Sequence, residues 1–211
     1  MRLRAVSGCM VGLLIVAATG CLSPRGDGAA GHTYQLRLEE GPPSASTADP
    51  AGPVVLVNVA QSEPGFETPR IVYVTKPYEL EYFSTSQWAD SPARLFTASL
   101  TRALTAGGFW RAAVPLPSTI RGDYRVDTAG VAIRQEFIRR PSQVRMTVQG
   151  QFVDLKDSKI LGTRTFEAVE PASSDDAYGG VVAANRAMAA LLAEMTAWAQ
   201  GCAKRAPECH R

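Results

Sequence analysis

The chain has 211 residues, 45% hydrophobic and 8% aromatic, with 22 Lys+Arg against 20 Asp+Glu for a formal net charge of +2. That length suits one domain with tails and a real core. The even charge balance excludes the concentrated basic surface of a nucleic-acid binder, and the polarity excludes a disordered chain or a polytopic membrane protein.

The first twenty residues read as an address. Arg2 and Arg4 are their only charges, so from Cys21 onward the 22 basic residues fall to 20 and balance the 20 acids. An uncharged stretch, Ala5 to Ala17, follows the short basic start and is too short to span a bilayer as a helix. It ends in Ala18-Thr19-Gly20-Cys21. Small residues running into a cysteine resemble the lipobox of bacterial lipoproteins, in which the Cys21 thiol is acylated and becomes the mature N-terminus. Ala18 stands where leucine is usual, and Val16-x-Ala18 also fits an ordinary secretory cleavage site. Leu22, rather than Asp, follows the cysteine, which by the sorting rule of enteric bacteria favours the outer membrane.

Residues 23–31 are rich in Gly, Pro and Ala and read as a flexible tether. Thr33 to Leu38 alternates as a short half-buried strand, and residues 41–53, with four prolines, form a loop. Val54 to Val59 is a β-branched run, the pattern of a strand buried on both faces. Arg70–Val74 and Tyr78–Phe83, joined by Thr75-Lys76-Pro77, read as a hairpin with one wet face. Asp90 or Ser91 is expected to cap a helix that has Pro92 in its first turn, buries Leu95, Phe96, Leu100 and Leu104, and stops at Gly107-Gly108.

Phe109 to Val114 is the next strand. The apolar phase changes between Tyr124-x-Val126 and Val131-x-Ile133, which predicts a bulge at Ala129-Gly130. Val144, Met146, Val148 and Phe152 share a strand face, and Asp157-Ser158 turns into a strand over residues 160–168. Asp175 or Asp176 caps a last helix burying Val181, Ala184, Met188, Leu191, Leu192, Met195 and Trp198, with Gly201 as its end. The order β-β-β-β-α-β-β-β-β-α predicts an α+β fold: a single two-layer domain, a largely antiparallel sheet with two helices packed on one face.

Chemistry is sparse. His32 sits in the tether and His210 is the penultimate residue, so no nucleophile–base pair assembles, and there is no G-x-S-x-G elbow or Gly-rich phosphate loop. Glu79/Glu81 and Asp154/Asp157 are candidate carboxylate pairs, but a solvated face and a polar turn are the favoured explanations. Cys202 and Cys209 lack the paired spacing of a zinc site and are better read as a local disulfide in an oxidising compartment. Neither a metal nor a cofactor is expected. Tyr73, Tyr78, Tyr82, Phe83 and Trp88 concentrate aromatic surface near a Pro-bounded turn. Core packing accounts for about half of such a group, and the remainder reads as a partner-binding or lipid-facing patch, with Tyr73, Tyr82 and Trp88 as the docking residues.

These features together resemble a known family. They are the lipobox cysteine, Tyr34-x-Leu36, the segment Pro69-Arg70-Ile71-Val72-Tyr73, Tyr78-Glu79-Leu80-Glu81-Tyr82 and Gln87-Trp88-Ala89-Asp90-Ser91-Pro92. Gly108-Phe109-Trp110, Tyr124-x-Val126, Leu155-x-Asp157 and Thr165-Phe166 complete the pattern. It is similar to the ABC-type transport auxiliary lipoprotein family, which includes the lipoprotein of the paraquat-inducible, MCE-type intermembrane transport system. The resemblance implies a non-enzymatic envelope component, anchored in the inner leaflet of the outer membrane and facing the periplasm. Its implied partners are a periplasmic MCE-domain protein and ABC transporter subunits, and some members of the family assemble as rings of identical chains. The alternative is an envelope lipoprotein with a structural or regulatory role, such as a cell-wall synthase activator or a secretion-complex subunit. The expected division is a lipoprotein-type signal peptide over 1–20, a lipidated N-terminus and tether over 21–32, the auxiliary lipoprotein domain over 33–200 and a C-terminal tail over 201–211.

Overall fold

A computed structural model describes residues 31–36 and 49–210. Its strands are β1 (His32–Tyr34), β2 (Val54–Val57), β3 (Arg70–Val74), β4 (Glu81–Trp88), β5 (Ala112–Pro115), β6 (Tyr124–Glu136), β7 (Gln143–Asp154) and β8 (Lys159–Pro171). Helix α1 (Pro92–Ala106) lies between β4 and β5, and α2 (Ala177–Ala203) follows β8, ahead of a 3-10 turn at Pro207–His210. The order is the one the apolar pattern predicts, and the α+β class holds.

The pairing differs from the expectation of a largely antiparallel sheet. Of the seven strand pairings, β1–β4, β2–β5, β2–β6 and β3–β6 are parallel, and only β3–β4, β6–β7 and β7–β8 are antiparallel. The reason is the length of β6. A 13-residue strand offers an edge of about 43 Å, long enough to take two short strands end to end. Val55–Val57 pair with Tyr124–Val126, Val72–Val74 pair with Arg134–Glu136, and Ser62 bridges to Val131 between them. The other edge of β6 carries β7, then β8, which has no further partner among the described strands.

The bulge falls where the apolar phase changes. The β6–β7 register shifts between Ala129 and Ala132, and Gly130 supplies the positive φ of 64° that the bend requires. Strand β2 is buried along its whole length, as a β-branched run on two packed faces should be.

Both helices pack into one apolar cluster with the same sheet face. Phe96, Leu100 and Leu104 of α1 and Met188, Leu191 and Met195 of α2 join Val126, Met146, Val148 and Phe166 there. At Gly150, a Cβ would stand 2.9 Å from Met195 Cε and 3.3 Å from Trp198 Cζ3, so the absent side chain lets α2 lie close on β7. The opposite face is not bare, which amends the two-layer description. The segment after β2 folds back over it, placing Phe66 against Val72 and Ala132.

Two helix ends depart from the expectation. Ser91 precedes α1 without a side-chain cap bond; its N–H donates to Asp90 Oδ1 at 2.7 Å, and Asp90 also pairs with Arg94. Asp176 caps α2 by accepting the Gly179 N–H at 2.7 Å, an arrangement that stabilises a helix by about 1 kcal/mol. Gly201 does not stop α2. The stop is a Schellman motif, in which the Arg205 N–H donates to Cys202 O at 3.0 Å and the Ala206 N–H to Gly201 O at 2.9 Å, with Arg205 at φ 58°. Arg205 Nη2 reaches Asp154 Oδ2 at 2.5 Å, and Asp154 also accepts the Lys156 and Asp157 N–H groups of the β7–β8 turn. Those backbone donors and Arg205 hold the Asp154 carboxyl below its ordinary pKa despite its burial.

Candidate functional site

The C-terminal ends of β3 and β6 and the starts of β4 and β7 converge at one end of the sheet, where the chain makes the turn 75–80 and the loop 137–142. On the helix side, the Tyr73 ring lies 4.8 Å from Phe83 and 5.9 Å from Phe137. Its hydroxyl donates to Glu81 Oε2 at 2.9 Å, while the Thr75 hydroxyl donates to Oε1 at 2.6 Å. Those bonds, from Thr75 first and then Tyr73, hold the Glu81 carboxyl below its usual pKa, and the bond to Glu81 pushes the Tyr73 hydroxyl up.

Tyr82 points to the other side of the sheet. It packs on the Phe66–Val72–Ala132 cluster, its hydroxyl donates to Gly65 O at 3.2 Å, and the Arg70 guanidinium stands 4.3 Å above its ring. Trp88 is 2% exposed and belongs to the main core, beneath β1, whose Tyr34 stands opposite it in the register. The three aromatic positions therefore do not form one surface. Tyr73 and Tyr82 occupy opposite faces, and burial removes Trp88 from any docking role.

Sequence reasoning missed the feature that dominates this end. Alternation with Leu80 and Tyr82 predicts Tyr78 in a strand, but it lies in the turn, 107% exposed, at φ 68°. An aromatic residue in the left-handed region costs roughly 1–2 kcal/mol, and no glycine marks the position in the sequence. Leu80 and Ile138 are exposed beside it, and with Pro77, Val74 and Phe66 they line an open groove of about 450 Å³.

The floor of that groove is an ion network on the outer face of the sheet. Glu136 accepts from Arg145 Nε at 2.9 Å, Arg134 Nε at 3.0 Å and Gln143 Nε2 at 2.8 Å, and Arg145 continues to Glu167 at 2.6 Å. Burial pushes the Glu136 carboxyl up, but the bonds from Arg145, Gln143 and Arg134 and the Arg145 charge outweigh it and hold the pKa at about 2. A depressed carboxylate contributes stability above its unfolded pKa, and the contribution is lost as pH falls toward the folded value. Unfolding stability is therefore expected to drop by about 2 kcal/mol between roughly pH 4.5 and pH 2 through this group, after discounting for solvent screening. In Glu136→Gln that share of the acid dependence should vanish, with stability lower than wild type at neutral pH. Parallel pH–stability curves for the two proteins would refute it.

The remaining candidate groups are engaged structurally. Glu79 pairs with Lys76 at 3.5 Å, Asp154 holds its turn and Arg205, and His32 stacks at 6.1 Å on Tyr34. Cys202 and Cys209 are joined, with Sγ atoms 2.05 Å apart and Cα atoms 4.7 Å apart, closing the segment after α2 onto β8. Among the described residues no group of three or more His, Cys, Asp or Glu is placed to hold a metal ion, and no helix is long and apolar enough to cross a membrane. Cys21, the residues before Gly31 and the His210 side chain lie outside the described residues.

A family model described as the ABC-type transport auxiliary lipoprotein component matches residues 34–196. Among solved structures, a Xanthomonas campestris protein assigned to the DUF330 family model is 19% identical. The match covers 82% of this chain and 97% of that one, with a TM-score of 0.71. A hypothetical protein from Chlamydia trachomatis is 10% identical over 72% of this chain and 97% of its own, with a TM-score of 0.51. At these identities the likeness is one of fold. No curated protein sequence matches the chain.

Proposed function

The chain belongs to the ABC-type transport auxiliary lipoprotein family, and from that premise we propose that it is a non-enzymatic, lipid-anchored accessory subunit of an MCE-type lipid transport system. The observation that carries this reading is the extent of the family match, which runs from Tyr34, the last residue of β1, into the last third of α2 and so takes in strands β2 to β8. The family is one of cell-envelope lipoproteins. Acylation of Cys21 would supply the anchor, with Leu22 after it favouring the inner leaflet of the outer membrane. An acyl chain contributes about 0.8 kcal/mol per buried methylene, so two or more chains hold the protein firmly. Residues 1–20 would be removed as the signal peptide, 21–32 would form the lipidated tether and 33–200 the working domain.

Partner contact is assigned to the sheet end, with Tyr73 on the helix side and Tyr82 on the outer side. Both rings are half-buried, which preorganises them and leaves an aromatic edge for a partner to cover. Cross-linking of the chain in its own envelope, followed by identification of what co-purifies, tests the assignment. An MCE-domain protein and ABC transporter subunits are the expected recoveries, reduced in a Tyr73→Ala/Tyr82→Ala variant that still folds. Recovery of a cell-wall synthase or a secretion-complex subunit in their place would establish the structural or regulatory role instead. Palmitate-analogue labelling lost in Cys21→Ser is the companion expectation, and equal labelling of both proteins would overturn the anchor.

A further inference from the structure

The turn 75–80 and the loop 137–142 give one end of the domain an apolar tip. They are neighbours: the Phe137 N–H donates to Val74 O at 2.8 Å, and Pro77, Tyr78, Leu80 and Ile138 line one groove. Tyr78 holds a left-handed backbone while presenting its whole ring to solvent, and Leu80 and Ile138 are 39% and 53% exposed. A left-handed backbone that displays an aromatic ring to solvent is a costly arrangement, which marks the ring as a contact surface. Cations flank the apolar residues. The Lys76 and Arg140 side chains are 73% and 83% exposed and hold acids only at 3.5 and 3.6 Å. Arg139 is exposed without an ion-pair partner among the described residues. Glu136, the half-buried acid of the groove floor, is already satisfied by Arg134 and Arg145, and Glu79, within the turn, pairs with Lys76.

The route of the chain selects the occupant. Strand β1 runs parallel to β4, with His32 opposite Ser86, and a Cβ on Gly31 would lie 4.0 Å from Thr85 O. Gly31 therefore stands beside Thr85, on the part of β4 that leads to Glu81 and the turn. The four strand residues from Thr85 to Glu81 take about 13 Å. The ten residues from Gly31 back to Cys21 reach at most about 35 Å. An acyl group on Cys21 thus has this end within reach of the bilayer that holds it, and this end is the nearer of the two to Gly31.

We propose that the tip formed by residues 75–80 and 137–142 seats on the lipid bilayer, with Tyr78, Leu80 and Ile138 entering the interfacial zone and Lys76, Arg139 and Arg140 meeting lipid phosphates. The proposal rests on the Cys21 anchor put forward above. A tyrosine ring is suited to the membrane–water boundary because its body is apolar and its hydroxyl is wet, and long basic side chains reach the phosphates while their stems stay apolar.

Trp88, Trp110 and Trp198 are at most 4% exposed, so a new surface tryptophan can be read against them. The acylated full chain is reconstituted in vesicles of phosphatidylethanolamine and phosphatidylglycerol that carry a brominated lipid. Tyr78→Trp is compared with Ile120→Trp, a 54% exposed position in the loop before β6, at the opposite end. Tyr78→Trp should be blue-shifted and quenched about threefold or more beyond Ile120→Trp. Ile138→Trp should report the same from the second loop if Tyr78→Trp folds poorly. A chain that floats with the vesicles while neither reporter is quenched overturns the seating and leaves the anchor standing. A blue shift that instead needs the MCE partner overturns it too, and assigns the tip to protein contact. A wild-type chain that does not float overturns the anchor, and the seating with it.

Discussion

Phe152→Ala is expected to cost about 3–5 kcal/mol of unfolding free energy. The ring is fully buried, and its centroid lies 5.1 Å from Tyr124 and 6.1 Å from both Trp110 and Trp198. It therefore joins β7 to β6, to the segment after α1 and to the C-terminal half of α2. Three surrounding rings cannot collapse into the vacated space without leaving their rotamers, so most of the cavity persists. For a domain of this size the loss corresponds to a melting temperature lower by roughly 10 °C. Urea unfolding that showed less than about 1 kcal/mol of change would mean that the ring cluster does not organise the core.

Gly162→Ala is expected to cost about 2–4 kcal/mol and to dislodge the C-terminal segment. A Cβ at this position would stand 2.3 Å from Cys209 O and 2.8 Å from Cys209 Sγ. The first neighbour is backbone and the second is bonded to Cys202, so neither can swing aside as a free side chain would. The segment must move as a unit, and it would surrender the burial of Cys209 and the bond from Trp198 Nε1 to Cys209 O. Reducing the Cys202–Cys209 bond in the wild type, which closes a loop of seven-residue separation, should itself cost about 2–3 kcal/mol. Proteolysis after Lys204 or Arg205 in the variant but not in oxidised wild type is the readout. Equal resistance with unchanged stability would show that the close packing at Gly162 carries no weight.

Local patterns were readable, and long-range choices were not. Asp176 and the apolar positions of α2 predict that helix because cap and periodicity act within a few residues of each other. The phase change at Ala129-Gly130 predicts the bulge for the same reason. Strand pairing has no such signature. The Val54 N–H bonds to Asp123, 69 residues along the chain, and nothing near either residue says so. Assuming that neighbouring segments pair gave an antiparallel sheet, whereas β2 and β3 both align with the long β6.

The candidate site fared similarly. Alternation placed Tyr78 in a strand because period-two patterning cannot register a backbone that turns left-handed at a residue with a large side chain. Trp88 sits near a Pro-bounded turn, which suggests a docking role. Unbroken alternation from Tyr82 puts Trp88 on the outer face; the shift in the β3–β4 register between Arg70 and Val72 turns Ser86 and Trp88 inward, and no local pattern announces it. The Glu136 network was invisible because its members come from β6, β7 and β8 and meet only across the sheet.

Strand β8, which among the described strands pairs with β7 alone, leaves the outward-facing half of its backbone donors and acceptors along one border, where Leu161 O and Pro171 O are taken by Cys209 and Arg186. Such a border is a template on which another chain can add a strand, and it is the main route by which sheet proteins aggregate. The composition of β8 opposes this. Lys159 and Arg164 in its first half and Glu167 and Glu170 in its second place charge along it, and Pro171 ends it with a residue that has no N–H to offer. A register shift near its start, between Phe152 and Val153 on β7, twists the first residues out of line with the rest. An intruding strand would have to desolvate those charges and match an irregular ladder, so the border stays open without becoming adhesive.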